Sequence, residues 1–443
     1  MKRWEYNNIM KFFADLHIHS KYSRATSRDM DIDHLDKWAK IKGVNVLGTG
    51  DFTHPLWIKE IKSKLEPAEP GLFKLKKKVN AFSKKNDWLS KNGNCEEDKD
   101  TRFLLSSEIN CIYSKDNRVR KIHVIILAPN LKVVEKINAH LGLIGNIKSD
   151  GRPILGLDVK ELLKIVLTIS DDCMVIPAHL WTPWFGLFGA NSGFDSIEEC
   201  FEEYSRYIYA IETGLSSDPK MNWRLSSLDK ITLISNSDAH SPQKIGREAN
   251  FFDTDLSYRG IVDAIKTKNP KKFLETIEFF PEEGKYYHNG HRKCDINLIP
   301  KKSKKIDNIC PKCKKPLTIG VLHRIDDLAD RKNGYIPDNI IPFRHMIPLD
   351  EIIGDAKGVG VKTKTVEREY RNLIERFNTE FDVLLSTNIE QIERISSPEI
   401  AEGIDRVRKG KVNIIPGYDG EYGKIEIFKE KERGKFSKQV NLF

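Results

Sequence analysis

The chain lacks any apolar run approaching the roughly 18 residues that cross a bilayer, which excludes a helical membrane protein and leaves a membrane out of the expected partners. Its opening stretch, MKRWEYNNIMKFF, is basic but carries neither a continuous apolar segment nor a small-residue cleavage site. No secretion leader is expected there, and the expected location is the cytoplasm. Cysteine is scarce, with seven in 443 residues. An odd, mostly isolated set excludes a disulfide framework, and Cys95, Cys111, Cys173 and Cys200 read as plain thiols. No long repeat or low-complexity segment is present, which excludes solenoids and fibrous folds.

What is there is a globular composition, 39% hydrophobic and 31% charged, long enough for two or three domains. The net charge of +9 is concentrated: residues 285–315 hold ten Lys/Arg against Asp295 and Asp307. A positive patch of that density suits a polyanion, because each neutralised phosphate releases counterions.

The first 275 or so residues repeat a short Val/Ile/Leu-rich run that ends in polar residues and is followed by a charged helical stretch. The runs are FFADLHIHS, VNVLGTGD, RFLLSSEIN, KIHVIILAP, MVIPAHL, YAIET and ITLISNSDAH. Alternation of this kind predicts a barrel or an open α/β sheet, with chemistry collected where the strands end. The run ends carry His17 and His19, Asp51 with His54 nearby, Glu108, His123, His179, and Asp238 with His240. His17 and His19 alternate with Leu16 and Ile18, so an extended chain puts both imidazoles on one face. Mixed imidazole and carboxylate donors suit zinc, manganese or iron rather than calcium, and nine of them exceed the four of one tetrahedral zinc. Two or three ions are the economical reading. Such sites hydrolyse phosphoesters, which agrees with the charge.

HIHS, TGD, SSEIN, KIHV, PAH and SDAH, in that order, resemble the motifs of the PHP (polymerase and histidinol phosphatase) phosphoesterases over about residues 12–275. That resemblance implies a distorted (β/α)7 barrel with a trinuclear metal site. Where many members have Thr-Asp-His, this chain has Thr49-Gly50-Asp51 with His54 three residues later, leaving open which of the two binds metal.

Beyond residue 278 the texture changes to a lysine-rich stretch with clustered cysteines. His291-x2-Cys294 and Cys310-x2-Cys313 form two knuckles separated by 15 residues, the spacing of a closed structural zinc, with His288 competing for the fourth place. From about 336 the sequence reads mainly helical; TKTVEREYRNLIERFNTEFDVLLS and SPEIAEGIDRVRKGK both have helical spacing. The expected organisation is a barrel over 1–277, a zinc-binding basic module over 278–335, and a mainly helical domain for DNA and base recognition over 336–443.

PAHLWTPWFGLFG, SNSDAHSPQKIGREAN, KYYHNGHRKC, CPKCKKPLTIGVLHRIDDLADR and PGYDGEYGKIEIF resemble the endonuclease Q family over nearly the full length. The resemblance implies a DNA repair nuclease that cuts on the 5′ side of deaminated bases (hypoxanthine, uracil, xanthine) and abasic sites, in double- or single-stranded DNA. Divalent ions (Zn, Mg or Mn) would work in the barrel and one structural zinc in the module. Asp238 is the expected catalytic residue, as metal holder or water-positioning group. Trp181, Trp184 and Phe185 in the loop after His179, Lys293 and Lys312 in the basic module, and Tyr418 and Asp419 in PGYDGEYG are the expected DNA contacts. The terminal QVNLF resembles a truncated sliding-clamp peptide. Two other readings stand beside the nuclease: a phosphatase or exonuclease on the same site, and a non-catalytic nucleic-acid-binding protein.

Overall fold

The computed structural model describes residues 9–76 and 100–432; Cys95 and the terminal QVNLF lie outside the described residues. Each of the seven apolar runs overlaps a strand: β1 (Ile9–Asp15), β2 (Val46–Gly48), β3 (Arg102–Lys115), β4 (Arg118–Ala128), β5 (Met174–Pro177), β6 (Ala210–Glu212) and β7 (Thr232–Ile234). The runs are apolar throughout because both faces of each strand are covered. Ala14, Val46, Leu104, Ile125, Met174, Ala210 and Ile234 point into one buried cluster, while their neighbours Leu47, Phe103, Val124, Val175, Ile211 and Leu233 point into another.

β1 pairs in parallel with β2, and β2 with β3. β4 runs antiparallel to both β3 and β5. β6 and β7 pair in parallel. Single bonds link the remaining edges. Leu180 N–H donates to the Glu212 carbonyl at 3.0 Å, and His19 N–H donates to the Ala239 carbonyl at 3.0 Å beside an Ile18–Ala239 bridge. The seven strand ends therefore face one another.

The expected helix between the third and fourth runs is missing. Asp116 and Asn117 both take positive φ (54° and 57°), the two-residue turn that joins antiparallel strands directly. Two further strands, β8 (Ala249–Asp255) and β9 (Phe273–Glu278), continue the sheet from β1. Phe343–His345, which falls in the stretch expected to belong to the helical domain, pairs in parallel with β9 and extends the same sheet.

Helices cover this sheet. α1 (Ile32–Lys42) opens on Asp31, whose carboxylate accepts from His34 N–H, and closes on Gly43 at φ 86°. α2 (Leu131–Ile144) and α3 (Val159–Ile169) follow β4. In the last third, α4 (Leu349–Lys357), α5 (Lys364–Phe377), α6 (Ile389–Ile395) and α7 (Pro398–Arg408) pack together, and α5 begins at Thr363, whose hydroxyl accepts from Val366 N–H. Among the described residues, no helix is long and apolar enough to cross a membrane.

One buried ion pair ties α1 to the helices of the last third. Lys42 at the end of α1 reaches Glu380 at 2.6 Å, both side chains at most 4% exposed. Glu380 also accepts from the Tyr370 hydroxyl at 2.5 Å and from Leu349 N–H at 3.0 Å. Removing one partner strands a charge in a dry site, so Glu380→Ala should cost about 3–5 kcal/mol. Chemical denaturation should show that loss, against less than about 0.5 kcal/mol for exposed Glu393→Ala.

Candidate metal centre and nucleic-acid face

Glu108, buried in β3, is where the strand ends meet. Its Oε1 lies 2.6 Å from His123 Nδ1 and 3.1 Å from His179 Nε2, and its Oε2 lies 3.0 Å from Arg152 Nη1 and 3.2 Å from His19 Nε2. Asp238 Oδ1 lies 3.0 Å from His19 Nε2 and 3.8 Å from His17 Nε2. Three donor groups result: His17–His19–Glu108, His19–Asp238–His240, and Glu108–His123–His179. His19 and Glu108 are each shared by two groups.

The imidazoles are held from behind. His17 Nδ1 bonds Glu212 at 3.0 Å, His19 Nδ1 bonds Asp51 at 3.1 Å, His179 Nδ1 meets the Thr182 hydroxyl at 2.9 Å, and His240 Nδ1 donates to the Asp238 carbonyl at 2.8 Å. The carboxylate and carbonyl oxygens only accept, so they hold a proton on Nδ1 of His17, His19 and His240 and leave Nε2 as the donor atom, the arrangement metal-binding histidines use. His17 Nε2, His19 Nε2, His123 Nε2 and Asp238 Oδ1 are buried with no hydrogen-bond partner. Three of them meet, with Asp238 Oδ1 3.0 Å from His19 Nε2 and 3.8 Å from His17 Nε2, and such a meeting fits a cation, because an unpaired buried polar atom is costly.

Electrostatics agree. Burial pushes the Glu108 carboxyl up, but His123 and Arg152 outweigh it and hold it well below the usual range. Asp238 is likewise held low against burial by the close approach of His19 and by the charges of His17 and His19. Burial drives His123 down to about 4 and lowers His240. His17 and His19 are raised despite burial, by Glu212 and Asp51 respectively together with the central carboxylates. The anions that hold protons on those rings would hold metal cations instead.

Two expected ligands take other places. Asp51 stands behind His19, its second oxygen accepting from Ser20 N–H at 2.6 Å, Ser20 Oγ at 2.6 Å and Ser23 Oγ at 2.8 Å. With its lone pairs so occupied, it orients His19 and joins none of the three donor groups. His54 caps a helix, stacks on Tyr22 at 4.5 Å and bonds the Lys148 carbonyl, also outside these groups. Sequence reasoning missed Glu212 and Arg152. Glu212 ends the run YAIET as Glu108 ends its own, so position was the available signal; Arg152 comes from a loop with no motif.

The backbone turns sharply at several of these positions. Asp51, His179 and Asp238 have φ of 46°, 30° and 47°, in the left-handed region that non-glycine residues rarely adopt. Gly151 packs so closely that a Cβ there would stand 2.2 Å from Asp51 Oδ2.

In the lysine-rich module, His291, Cys294, Cys310 and Cys313 present four donor atoms within 4.8 Å of one another. His288 instead meets Asn297 Oδ1 at 2.8 Å, outside the cluster. A soft, tetrahedral-sized donor set of this kind fits zinc.

The expected DNA contacts divide by exposure. Trp181 is a correction: it is 1% exposed, its indole N–H donates to Asn222 at 2.8 Å, and it packs against Phe188. It supports the loop from inside and cannot meet a base. Phe185 lies on His123 at 4.5 Å, while Trp184 is 38% exposed and meets Tyr286 edge-on. Lys293 and Lys312 are exposed. Tyr418 and Asp419 bind the hairpin at 413–426 to the cysteine module: the Tyr418 hydroxyl bonds Asp295 at 2.9 Å, and Asp419 accepts from Arg292 N–H at 2.6 Å and Thr318 Oγ1 at 2.5 Å. Their polar atoms are engaged within the protein, which gives them a part in building the face.

A family model described as the MJ0043 C-terminal domain matches residues 348–411. The chain is 30% identical to the lesion-specific endonuclease from Pyrococcus furiosus, whose crystal structure superposes with a TM-score of 0.80 over 95% of this chain and 96% of that one. A crystal structure of endonuclease Q with a 27-mer duplex substrate carrying an abasic lesion at the active site gives the same identity and TM-score, over 96% and 98%. An uncharacterized protein of Methanocaldococcus jannaschii is 33% identical over 289 residues, 62% of this chain and 35% of that protein. The chain therefore spans about a third of the length of that curated relative.

Isosteric Asp51→Asn should keep the number of divalent ions taken up by the stripped protein and weaken their affinity by roughly 10–100-fold, as outer partners of metal ligands do. Titration calorimetry separates this from loss of an ion, the result for a direct ligand. Metal analysis of the whole protein should show one tightly held zinc that Cys310→Ser removes.

Proposed function

The chain belongs to the endonuclease Q family, and from that premise we propose that it is a metal-dependent DNA repair endonuclease. In its finer form the reading is hydrolysis of the phosphodiester bond on the 5′ side of hypoxanthine, uracil, xanthine and abasic sites, in double- or single-stranded DNA, leaving a 3′-hydroxyl and a 5′-phosphate. The abasic duplex held by the related endonuclease supports the last of these substrates. The observation that carries the proposal is the trio of donor groups joined through His19 and Glu108. That arrangement supports reading the ring of seven strands as the distorted (β/α)7 barrel of the PHP phosphoesterases, followed by a structural-zinc module over 278–335 and a helical recognition domain over 336–443.

His17, His19, Glu108, His123, His179, Asp238 and His240 would hold two or three divalent ions. When bound, such ions lower the pKa of water to about 7 and neutralise charge on phosphate oxygens. The chain's own groups do the rest. Glu212, Asp51 and Thr182 keep the imidazoles turned inward. Arg152, partly exposed beside Glu108, offers a guanidinium to a non-bridging phosphate oxygen. Asp238, the partly open carboxylate of the set, holds an ion or positions the attacking water. The duplex lies across the basic module on Lys293 and Lys312, the damaged nucleotide leaves the stack, and its 5′ phosphate reaches the cluster.

Asp238→Ala should lower nicking of a uracil- or abasic-containing duplex by at least about a hundredfold while leaving duplex affinity within a few-fold. Denaturing gels with Mg²⁺, Mn²⁺ or Zn²⁺ and a binding assay check both, and undiminished nicking removes Asp238 from the chemistry. Rapid hydrolysis of a chromogenic phosphomonoester with no DNA cleavage would favour a small-molecule phosphatase.

A further inference from the structure

Trp184, Tyr286 and Tyr422 line up on one surface without being used by the protein's interior. Trp184 and Tyr286 meet edge to face, with ring centroids 5.4 Å apart. The Tyr286 hydroxyl lies 3.8 Å from the position a Cβ would take on Gly420, two residues before Tyr422. Lys285 Nζ stands 4.6 Å above the Tyr422 ring, and Arg292 flanks Gly420. Tyr422 is 71% exposed and Trp184 38%, whereas Trp181 and Phe188 in the same stretch are buried.

The ridge is rigid and adjoins the metal centre. Tyr418 and Glu421 bond each other in both directions across Asp419 and Gly420, both at positive φ, a two-residue turn that fixes where Tyr422 emerges. Gly417 N–H, Gly420 N–H and Gly423 N–H donate to the carbonyls of Glu282, Lys285 and Glu283. At the other end, Trp184 follows His179 by five residues and precedes Phe185, which lies against His123. Arg324 secures this loop through the Phe188 and Phe194 carbonyls at 3.0 Å.

Exposed aromatic rings alternating with cations beside a phosphoesterase site have one matching ligand chemistry. Bases freed from pairing stack on the rings while their phosphates lie on the lysine and arginine, and a fully paired helix has no free base face to offer. We propose that Trp184, Tyr286 and Tyr422, with Lys285 and Arg292, form a stacking ridge for unpaired bases of the strand that flanks the cut. The ridge would select DNA that is already opened or easily opened at the damaged position. This rests on the nuclease reading above.

The test uses the full-length protein with Trp184→Ala and Tyr422→Ala, singly and together, and Trp184→Phe and Tyr422→Phe as conservative partners. Fluorescence anisotropy would measure affinity for a 12-nucleotide single strand, for a duplex with one abasic site, and for the fully paired duplex. 2-Aminopurine placed opposite and beside the lesion would report stacking. Each alanine should weaken single-strand and lesion binding on the order of tenfold. The phenylalanine variants should stay within a few-fold of the wild type, and the paired duplex should be unaffected. Equal losses on all three DNAs, or no loss on any, would overturn the ridge. The nuclease reading is tested separately: wild-type protein that nicks normally with unaffected variants fails the ridge alone, while selective binding losses without any nicking fail the nuclease alone.

Discussion

A carboxylate enclosed by protein must be matched by positive charge, and Glu108 shows how much structure that demands. Its two oxygens draw in three imidazoles and a guanidinium from β4, from the turns after β1 and β5, and from the loop around Arg152. No single strand could supply them, so the meeting of several strand ends is the means of bringing them together. The two apolar clusters on either side of the strands hold those ends in place.

Around that anion the protein places a second layer of acceptors. Glu212 is the most economical member, since its carboxylate holds His17, accepts from His179 N–H at 2.8 Å and from Asn236 at 3.0 Å, joining the ends of β1, β5 and β7 to its own β6. Asp51 does the same for His19 with the help of two serines. A side chain can therefore be indispensable to a metal centre without facing it.

Much of this was legible in the sequence because strand ends announce themselves. Apolar runs bounded by His, Asp or Glu located β1 to β7 and all of the residues in the three donor groups, and His-x2-Cys followed by Cys-x2-Cys located the second cluster. What escaped has identifiable causes. Sequence spacing cannot distinguish a carboxylate that faces a cation from one that faces its histidine, so Asp51 read as a ligand. It cannot say which aromatic of LWTPWF turns inward, and Trp181 is spent on the interior. The Asp-Asn pair that replaces a helix between β3 and β4 was a turn signature lying between two runs, outweighed by the period of the surrounding pattern.

The left-handed backbone at Asp51, His179 and Asp238 has a bearing on durability. Each such residue stores on the order of 1 kcal/mol or more, which the surrounding bonds must restrain. Selection for heat resistance alone would relax these turns toward ordinary geometry or hand them to glycine, and the molecule would outlast its parent while its donor atoms drifted out of alignment. Conformational tension of this kind is a standing cost of activity, and the bonds from Ser20 and Ser23 to Asp51 and between Thr182 and His179 restrain two of those turns.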